Sequence, residues 1–375
     1  MGSVRQRQSG KWQAMYRDPE GKQRSQSFSS RREPDRFLGR QQVEVERGEW
    51  RDPQLGKTPF SEVAATWRAQ KTSLRLSTLS HYDSLLSCHV IPGFTDRPIN
   101  SIKPSDIRGW VNSMQTRGVG GTTIVKAFGL VEQIMDLAVE DRLIPVSPMP
   151  RKNRPKVPKP DEMRVLSTQQ FADLADAIRP HYRPLIETAV WTGMRWGELA
   201  GLRNRRVDLL RGRIEVAEQR SQIRGVMLFG EPKTKAGRRS LDIPPKLAPA
   251  LEASLGNDPD GLVFLTEEGT PVHHSNFLQR IWTPATAAAD LSGIRFHDLR
   301  HTHVSWLIDM DVNLVKISRR VGHTKVSFTL DRYAHLLPTD DDDIADRLER
   351  YGTITDPEAR PGRLLGFDSG SAEAR

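Results

Sequence analysis

The stretch His297-Asp298-Leu299-Arg300-His301-Thr302-His303 runs into Val304, Trp306 and Leu307, an apolar side that marks the opening of a helix. On such a helix His297 and Arg300 share a face at i, i+3, and His297 and His301 share one at i, i+4. Paired histidines one turn apart can hold zinc. Here, however, Arg300 would set a fixed positive charge beside the cation, position 298 carries Asp where H-E-x-x-H needs Glu, and no third ligand is specified. No metal is expected.

Three further clusters surround this one in the sequence. Thr192-Gly193-Met194-Arg195-Trp196-Gly197-Glu198-Leu199 is a glycine-bracketed helix start with Arg195 and Glu198 on one face. The planar fork of an arginine suits phosphate oxygens, and a carboxylate one turn away can fix that fork. Alone, such a pair is ordinarily a surface ion pair worth little. Pro232-Lys233-Thr234-Lys235-Ala236-Gly237-Arg238-Arg239 is a turn between two strand-like runs and carries four cations. A lysine there can enter a DNA groove and protonate a leaving oxygen if neighbouring cations lower its pKa; the plain alternative is a solvated basic turn. Val321-Gly322-His323 is followed ten residues later by Tyr333, one of five tyrosines, which by itself reads as a core residue.

In chain order the clusters give Arg, Lys, His-x-x-Arg, Gly-His, Tyr, and this set resembles the tyrosine site-specific recombinases, specifically the phage-type integrases. TGMRWGEL looks like the first arginine box of that family, HDLRHTHVSWL like the second, and VGHTKVSFTLDRYAHLLP like the third, which holds the nucleophile. The resemblance is strongest over residues 162–340 and weakest over the first 55. It implies that Arg195, His297, Arg300 and His323 grip and activate a scissile phosphate, that Glu198 supports Arg195, and that Tyr333 attacks. The family's lysine lies at the tip of the hairpin between the second and third strands, where Lys235 aligns better than Lys233. Val321 stands where Leu is usual before Gly-His.

These residue types fit the chemistry. Attack on a phosphodiester builds negative charge on the nonbridging oxygens, and two arginines and a histidine supply fixed donors there without a metal or other cofactor. A tyrosine ester keeps the phosphodiester energy, so rejoining needs no ATP. By resemblance the intermediate is a 3′-phosphotyrosyl link with a free 5′ hydroxyl, and four protomers exchange strands through a four-way junction.

The expected fold is multidomain and mainly α with small β-sheets. Residues 1–55 form a β-hairpin and helix module resembling an arm-type DNA-binding domain: Trp12, Ala14 and Tyr16 alternate with Gln13, Met15 and Arg17 ahead of the turn Asp18-Pro19-Glu20-Gly21. A helical core-binding domain spans 58–150, with Phe60, Val63, Ala64 and Trp67 making its first stripe and further helices at 76–89, from Pro104, and through Ile124 to Ala138. Residues 151–161 are a basic linker, in which Arg151, Lys152, Arg154, Lys156 and Lys159 alternate with prolines. An α+β tyrosine-recombinase catalytic domain covers 162–350, starting at the capping box Ser167 to Gln170 and including a three-stranded antiparallel sheet between Arg213 and Ile243. A tail occupies 351–375, and the acidic run Asp340 to Asp343 just before it reads equally as a solvated cap or a protomer contact.

Charge agrees with a polyanionic partner. The 375 residues carry a formal +9, and residues 1–60 hold 13 basic against 8 acidic side chains. The linker cations with Arg238 and Arg239 are the expected phosphate contacts. One cysteine excludes an internal disulfide framework and places the chain in a reducing compartment. No signal peptide or membrane span is read, so the expected location is the cytoplasm of a bacterial host, at the nucleoid.

The function expected is therefore integration and excision of a mobile element such as a phage genome, acting on core and arm DNA sites as a tetramer. A DNA-bending host factor and an excision-directing factor are the expected partners by resemblance. The alternatives are a chromosome-dimer or transposon resolvase of the same family, a type IB topoisomerase that shares the chemistry, and a DNA-binding regulator without catalysis.

Overall fold

Three strands open the chain, β1 (Ser3–Gln6), β2 (Trp12–Arg17) and β3 (Gln23–Phe28), antiparallel in that order. The expected hairpin is β2 with β3, Trp12 facing Phe28 and Arg17 facing Gln23. Asp18 holds its turn by accepting from the Lys22 backbone N–H at 2.8 Å and from Arg24 Nε at 2.9 Å. β1 is an addition to the expected fold: Ser3-Val4-Arg5-Gln6 has no apolar alternation to announce an edge strand. The helix Arg32–Glu46 covers the sheet by setting Phe37 against Tyr16 and Phe28, at ring distances of 5.7 and 5.4 Å.

The computed structural model describes residues 2–48, 50–158, 163–223, 225–232 and 235–336, together with Glu349. The chain divides into two compact units, one built on Met1–Asp161 and the other on Glu162–Gln222 and Met227–Arg375. Among the described residues, no helix is long and apolar enough to cross a membrane.

The four expected helices of the first unit are Phe60–Ala69, Leu76–Leu85, Pro104–Thr116 and Gly121–Glu140. Their stripes meet in one core: Phe60, Val63, Ala64 and Trp67 face Ile107, Trp110 and Met114 and the row from Ile124 to Ala138. Each large apolar side chain so buried contributes about 1.5–3 kcal/mol. The second helix does not simply end at His89. It widens to π geometry over Leu86–Val90 and continues through Ile91–Phe94, because Pro92 has no N–H to offer the preceding turn. The same arrangement recurs in the second unit, where Leu278–Trp282 is a π turn just ahead of Pro284.

Residues 151–158 form neither helix nor strand, as the prolines dictate. Arg151, Lys152 and Lys156 are exposed. Arg154 is already engaged: it pairs with Glu132 at 2.5 Å and lies over the Phe128 ring. Lys159 lies outside the described residues, as do Asp340 to Asp343 and the tail 351–375.

In the second unit β4 (Val207–Asp208), β5 (Arg213–Val216) and β8 (Arg239–Asp242) make one antiparallel sheet, while β6 (Gln219–Ile223) and β7 (Val226–Gly230) form a hairpin of their own. This corrects the expected single three-stranded sheet between Arg213 and Ile243, because the run Val226 to Phe229 pairs outside it. Gly225, at φ +82°, turns β7 back onto β6, and Val226 and Phe229 remain 60% and 44% exposed, so the run has no buried face to place in the sheet. Helices then pack around Phe277, Trp282, Phe296 and Leu299. The segment before the Thr168–Ala177 helix is tied to the Asp298–Asp309 helix: Leu166 donates its N–H to Thr302 Oγ1 at 3.1 Å and accepts from Trp306 Nε1 at 2.9 Å.

Candidate active site

Two left-handed glycines organise the site. Gly193, at φ +65°, ends the helix Arg183–Thr192, and the chain reverses so that Arg195 caps the short helix Trp196–Ala200. Gly322, at φ +67°, ends Leu314–Val321 in the same way and delivers His323. A larger residue at Gly322 would force its neighbours to shift, because a Cβ there would lie 2.8 Å from the Ala236 carbonyl oxygen. That contact sets the backbone of the 3₁₀ turn Lys235–Gly237 beside the Gly-His corner. Lys233 lies outside the described residues.

The guanidiniums of Arg195 and Arg300 converge on this corner. Arg195 donates from Nη2 to the Gly322 carbonyl at 3.1 Å, and Arg300 donates from Nη1 to the Gly193 carbonyl at 2.6 Å and from Nη2 to the Val321 carbonyl. Arg300 is 3% exposed, and burial followed by the Arg195 charge draws it down to about 9, which leaves it cationic at neutral pH.

Glu198 is the counter-charge. Its carboxylate accepts from the Arg195 backbone N–H and Arg195 Nη1, each at 2.9 Å, and from Arg239 Nη1 and Nη2 at 3.1 and 2.9 Å. Burial pushes this carboxyl upward, but the hydrogen bonds and charge of Arg239, with those of Arg195, outweigh it and hold Glu198 below the usual carboxylate range. Arg239 was expected on a DNA-facing turn. Instead its side chain is 7% exposed and bonded to Glu198 and to the carbonyls of Gly237 and Arg320. Four of its five N–H donors are committed in this way. Arg238 does point outward, its side chain 64% exposed beside Glu215.

The histidines are neutral at physiological pH. His323 Nδ1 shares a 2.7 Å hydrogen bond with Thr329 Oγ1, and burial, then Arg300 and Arg195, draw its pKa down to about 3. His297 occupies the N-cap position of Asp298–Asp309. Desolvation on its protein side, then Arg300 and Arg195, bring it to about 4. Tyr333 is the last residue of the helix Val326–Tyr333, is 2% exposed, and shares a 2.5 Å hydrogen bond with His301 Nδ1. Burial raises its hydroxyl to about 12, against the pull of Arg300 and Arg332.

Five segments spread from Gly193 to Tyr333 thus supply two cations, neutral histidines and a phenol within one cluster. Sequence reading had Arg195, Glu198, His297, Arg300, His323 and Tyr333 in view but missed Arg239 as the clamp on Glu198 and Thr329 behind His323. Arg239 carries no local signal because its partner lies 41 residues away, and Thr329, six residues after His323, is reached across a turn where helical spacing does not apply.

The profile of the Phage integrase family matches residues 164–339; the Phage integrase N-terminal domain matches 1–47, and its N-terminal SAM-like domain 59–115. The phiRv2 prophage integrase of Mycobacterium tuberculosis is 30% identical over 93% of this chain and 95% of its own. The chain belongs to the phage integrase family. It is a tyrosine recombinase, a site-specific integrase that cuts and rejoins DNA. The integrase shares its fold with the Tn1549 transposon integrase solved with a circular-intermediate DNA, at TM-score 0.65 and 20% identity over 78% of this chain and 99% of that one. It shares it also with a lambda integrase tetramer bound to a Holliday junction, at TM-score 0.54 and 16% identity over 87% and 93%.

Proposed function

We propose that this integrase inserts and excises a mobile element, such as a phage genome, by attack of Tyr333 on a core-site phosphodiester. The observation that carries the reading is the convergence of Arg195 and Arg300 on the carbonyls of Gly193, Val321 and Gly322, next to His323 and backed by the buried Glu198. Two cations held in place before substrate arrives stabilise the charge that grows on the nonbridging oxygens, with no reorganisation at the moment of reaction. His323 and His297, kept neutral, add donors to the same oxygens. Tyr333 forms the 3′-phosphotyrosyl ester, and Lys235 gives its proton to the departing 5′ oxygen. The ester stores the bond energy, so a 5′ hydroxyl from a partner duplex reseals it without ATP.

In this reading double-stranded DNA is held at core sites by the helical and catalytic domains and at arm sites by the N-terminal module, within the assigned domains 1–55, 58–150, 151–161 and 162–350. Four protomers exchange strands through a four-way junction, as the lambda integrase tetramer on a Holliday junction supports. Direction is set by a DNA-bending host factor and an excision-directing factor, and the work takes place at the nucleoid of the bacterial host.

The test is incubation with nicked suicide duplexes made from element and host DNA, in EDTA and without ATP. Covalent adducts that share a core sequence and vanish in Tyr333→Phe are expected. DNA binding without adducts across sites that recombine in cells would instead favour the regulator reading.

A further inference from the structure

His301 enters the sequence as half of a rejected zinc pair, and in the structure it has a different neighbour. Its Nδ1 stands 2.5 Å from the Tyr333 hydroxyl, with the rings 5.8 Å apart and inclined by 51°. Both residues are buried, His301 at 6% and Tyr333 at 2% exposure.

Each ring is fixed from behind. His301 follows Arg300 on the Asp298–Asp309 helix, so the turn that lodges Arg300 also sets the direction of His301. The His297 ring stands perpendicular to it at 5.0 Å and closes its other flank. Tyr333 packs with Val304, Ile308, Ile317 and Val321. Rotating the Tyr333 ring away opens that small core. Among the described residues, His301 rather than His297 is the histidine in hydrogen-bond contact with the hydroxyl.

We propose that His301 is a catalytic residue of this integrase, which aims the Tyr333 hydroxyl and takes its proton as the oxygen attacks phosphorus. The proposal rests on Tyr333 being the nucleophile. In cleavage the Tyr333 Oη–P bond forms and the P–O5′ bond breaks; the phenolic proton passes to His301 Nδ1, and the 5′ oxygen takes one from Lys235. In rejoining, the incoming 5′ hydroxyl returns a proton to Lys235 and the released tyrosine recovers its own from His301. Protons balance over the cycle and nothing is oxidised or reduced.

The surroundings keep His301 unprotonated but also weakly basic, so its contact with the hydroxyl, and transfer concerted with Oη–P bond formation, carry the role. Burial holds the Tyr333 hydroxyl near 12, so few molecules would carry a free phenolate at neutral pH. His301 is held neutral, at about 4, by burial first, then by His297 and Arg332, with Asp298 opposing and Arg295 assisting. A neutral imidazole in contact with the hydroxyl keeps a lone pair free for the proton throughout the physiological range.

The test measures single-turnover cleavage of a suicide duplex carrying the core sequence recovered with wild type. His301→Gln keeps an amide oxygen for the hydroxyl but cannot carry its proton. It is expected to bind DNA and melt like wild type while cleaving about 10²–10⁴-fold more slowly. His301→Ala is expected to regain cleavage in proportion to added free-base imidazole. Cleavage by folded His301→Gln within about threefold of wild type, or faster, overturns the proposal. So does a loss in both variants that imidazole leaves unchanged, which assigns His301 to packing. Tyr333→Phe runs alongside: adducts persisting there bring down the nucleophile itself, whereas adducts lost there with His301→Gln unimpaired bring down this proposal alone.

Discussion

Arg239 donates two hydrogen bonds to the Glu198 carboxylate, and Glu198 in turn holds both the backbone and the guanidinium of Arg195. The first arginine of the site is therefore aimed by a residue 44 positions away that never needs to meet DNA. Arg239→Ala leaves a carboxylate that is 1% exposed without its main partner. Removing one member of a buried pair costs about 3–5 kcal/mol, so chemical denaturation followed by tryptophan fluorescence should show a loss of that order. In a double-mutant cycle with Glu198→Gln the two losses should be strongly non-additive.

That relationship marks the limit of what the sequence made legible. The helices with stripes, such as Phe60 to Trp67, and the capping box at Ser167 were readable because their determinants are three or four residues apart. The site residues were readable because Arg195, His297, Arg300, His323 and Tyr333 sit in short boxes with a known resemblance. Arg239 was read only as a DNA contact because a cation in a basic turn gives no hint of a carboxylate 41 residues upstream. β7 was misplaced for a similar reason: strand propensity identified Val226 to Phe229 as extended, but partner choice was decided by the turn at Gly225.

Gly322→Ala tests the corner that joins the boxes. The substitution forces a side chain into the left-handed region, which costs about 1–2 kcal/mol, and pushes against the Ala236 carbonyl. The Lys235–Gly237 turn must shift, and the carbonyl that accepts from Arg195 shifts with it. Adduct formation should fall at least about tenfold, equivalent to 1.4 kcal/mol in the barrier, while gel-shift affinity for core DNA stays near wild type.

Acid should destabilise the protein earlier than its carboxylates do. His301 and His303 are buried with pKa values of about 4 and about 3, below the unfolded histidine value. Burial is the main cause for both, with Arg320 adding to it at His303. The unfolded chain therefore binds protons more readily, and the stability these residues contribute is complete above about pH 6.5 and drains as pH falls toward their folded values. Each removes about 1.4 kcal/mol per pH unit across that window. Denaturant midpoints between pH 7 and 5 should fall accordingly, and more gently in His303→Asn.

The exposed linker cations should act through salt. Replacing Arg151, Lys152 and Lys156 by Ala is expected to weaken binding to all duplexes alike and to flatten the dependence of log affinity on log salt by about 0.9 per lost phosphate contact. Filter binding from 50 to 300 mM salt measures it, taking a range of about this size as one over which such contacts are resolved. Arg154→Ala should add less, since its guanidinium is already committed to Glu132 and the Phe128 ring.

A nucleophilic Tyr333 must carry the DNA after cleavage. Adducts formed on a suicide duplex would be trimmed with nuclease, digested with trypsin and sequenced by mass spectrometry. Cleavage after Arg332 and Arg347 releases a peptide with Tyr333 as its one tyrosine. This peptide is expected to bear a nucleotide joined through its 3′ phosphate to Tyr333. A nucleotide on any other residue, or one joined through a 5′ phosphate, would contradict that role for Tyr333.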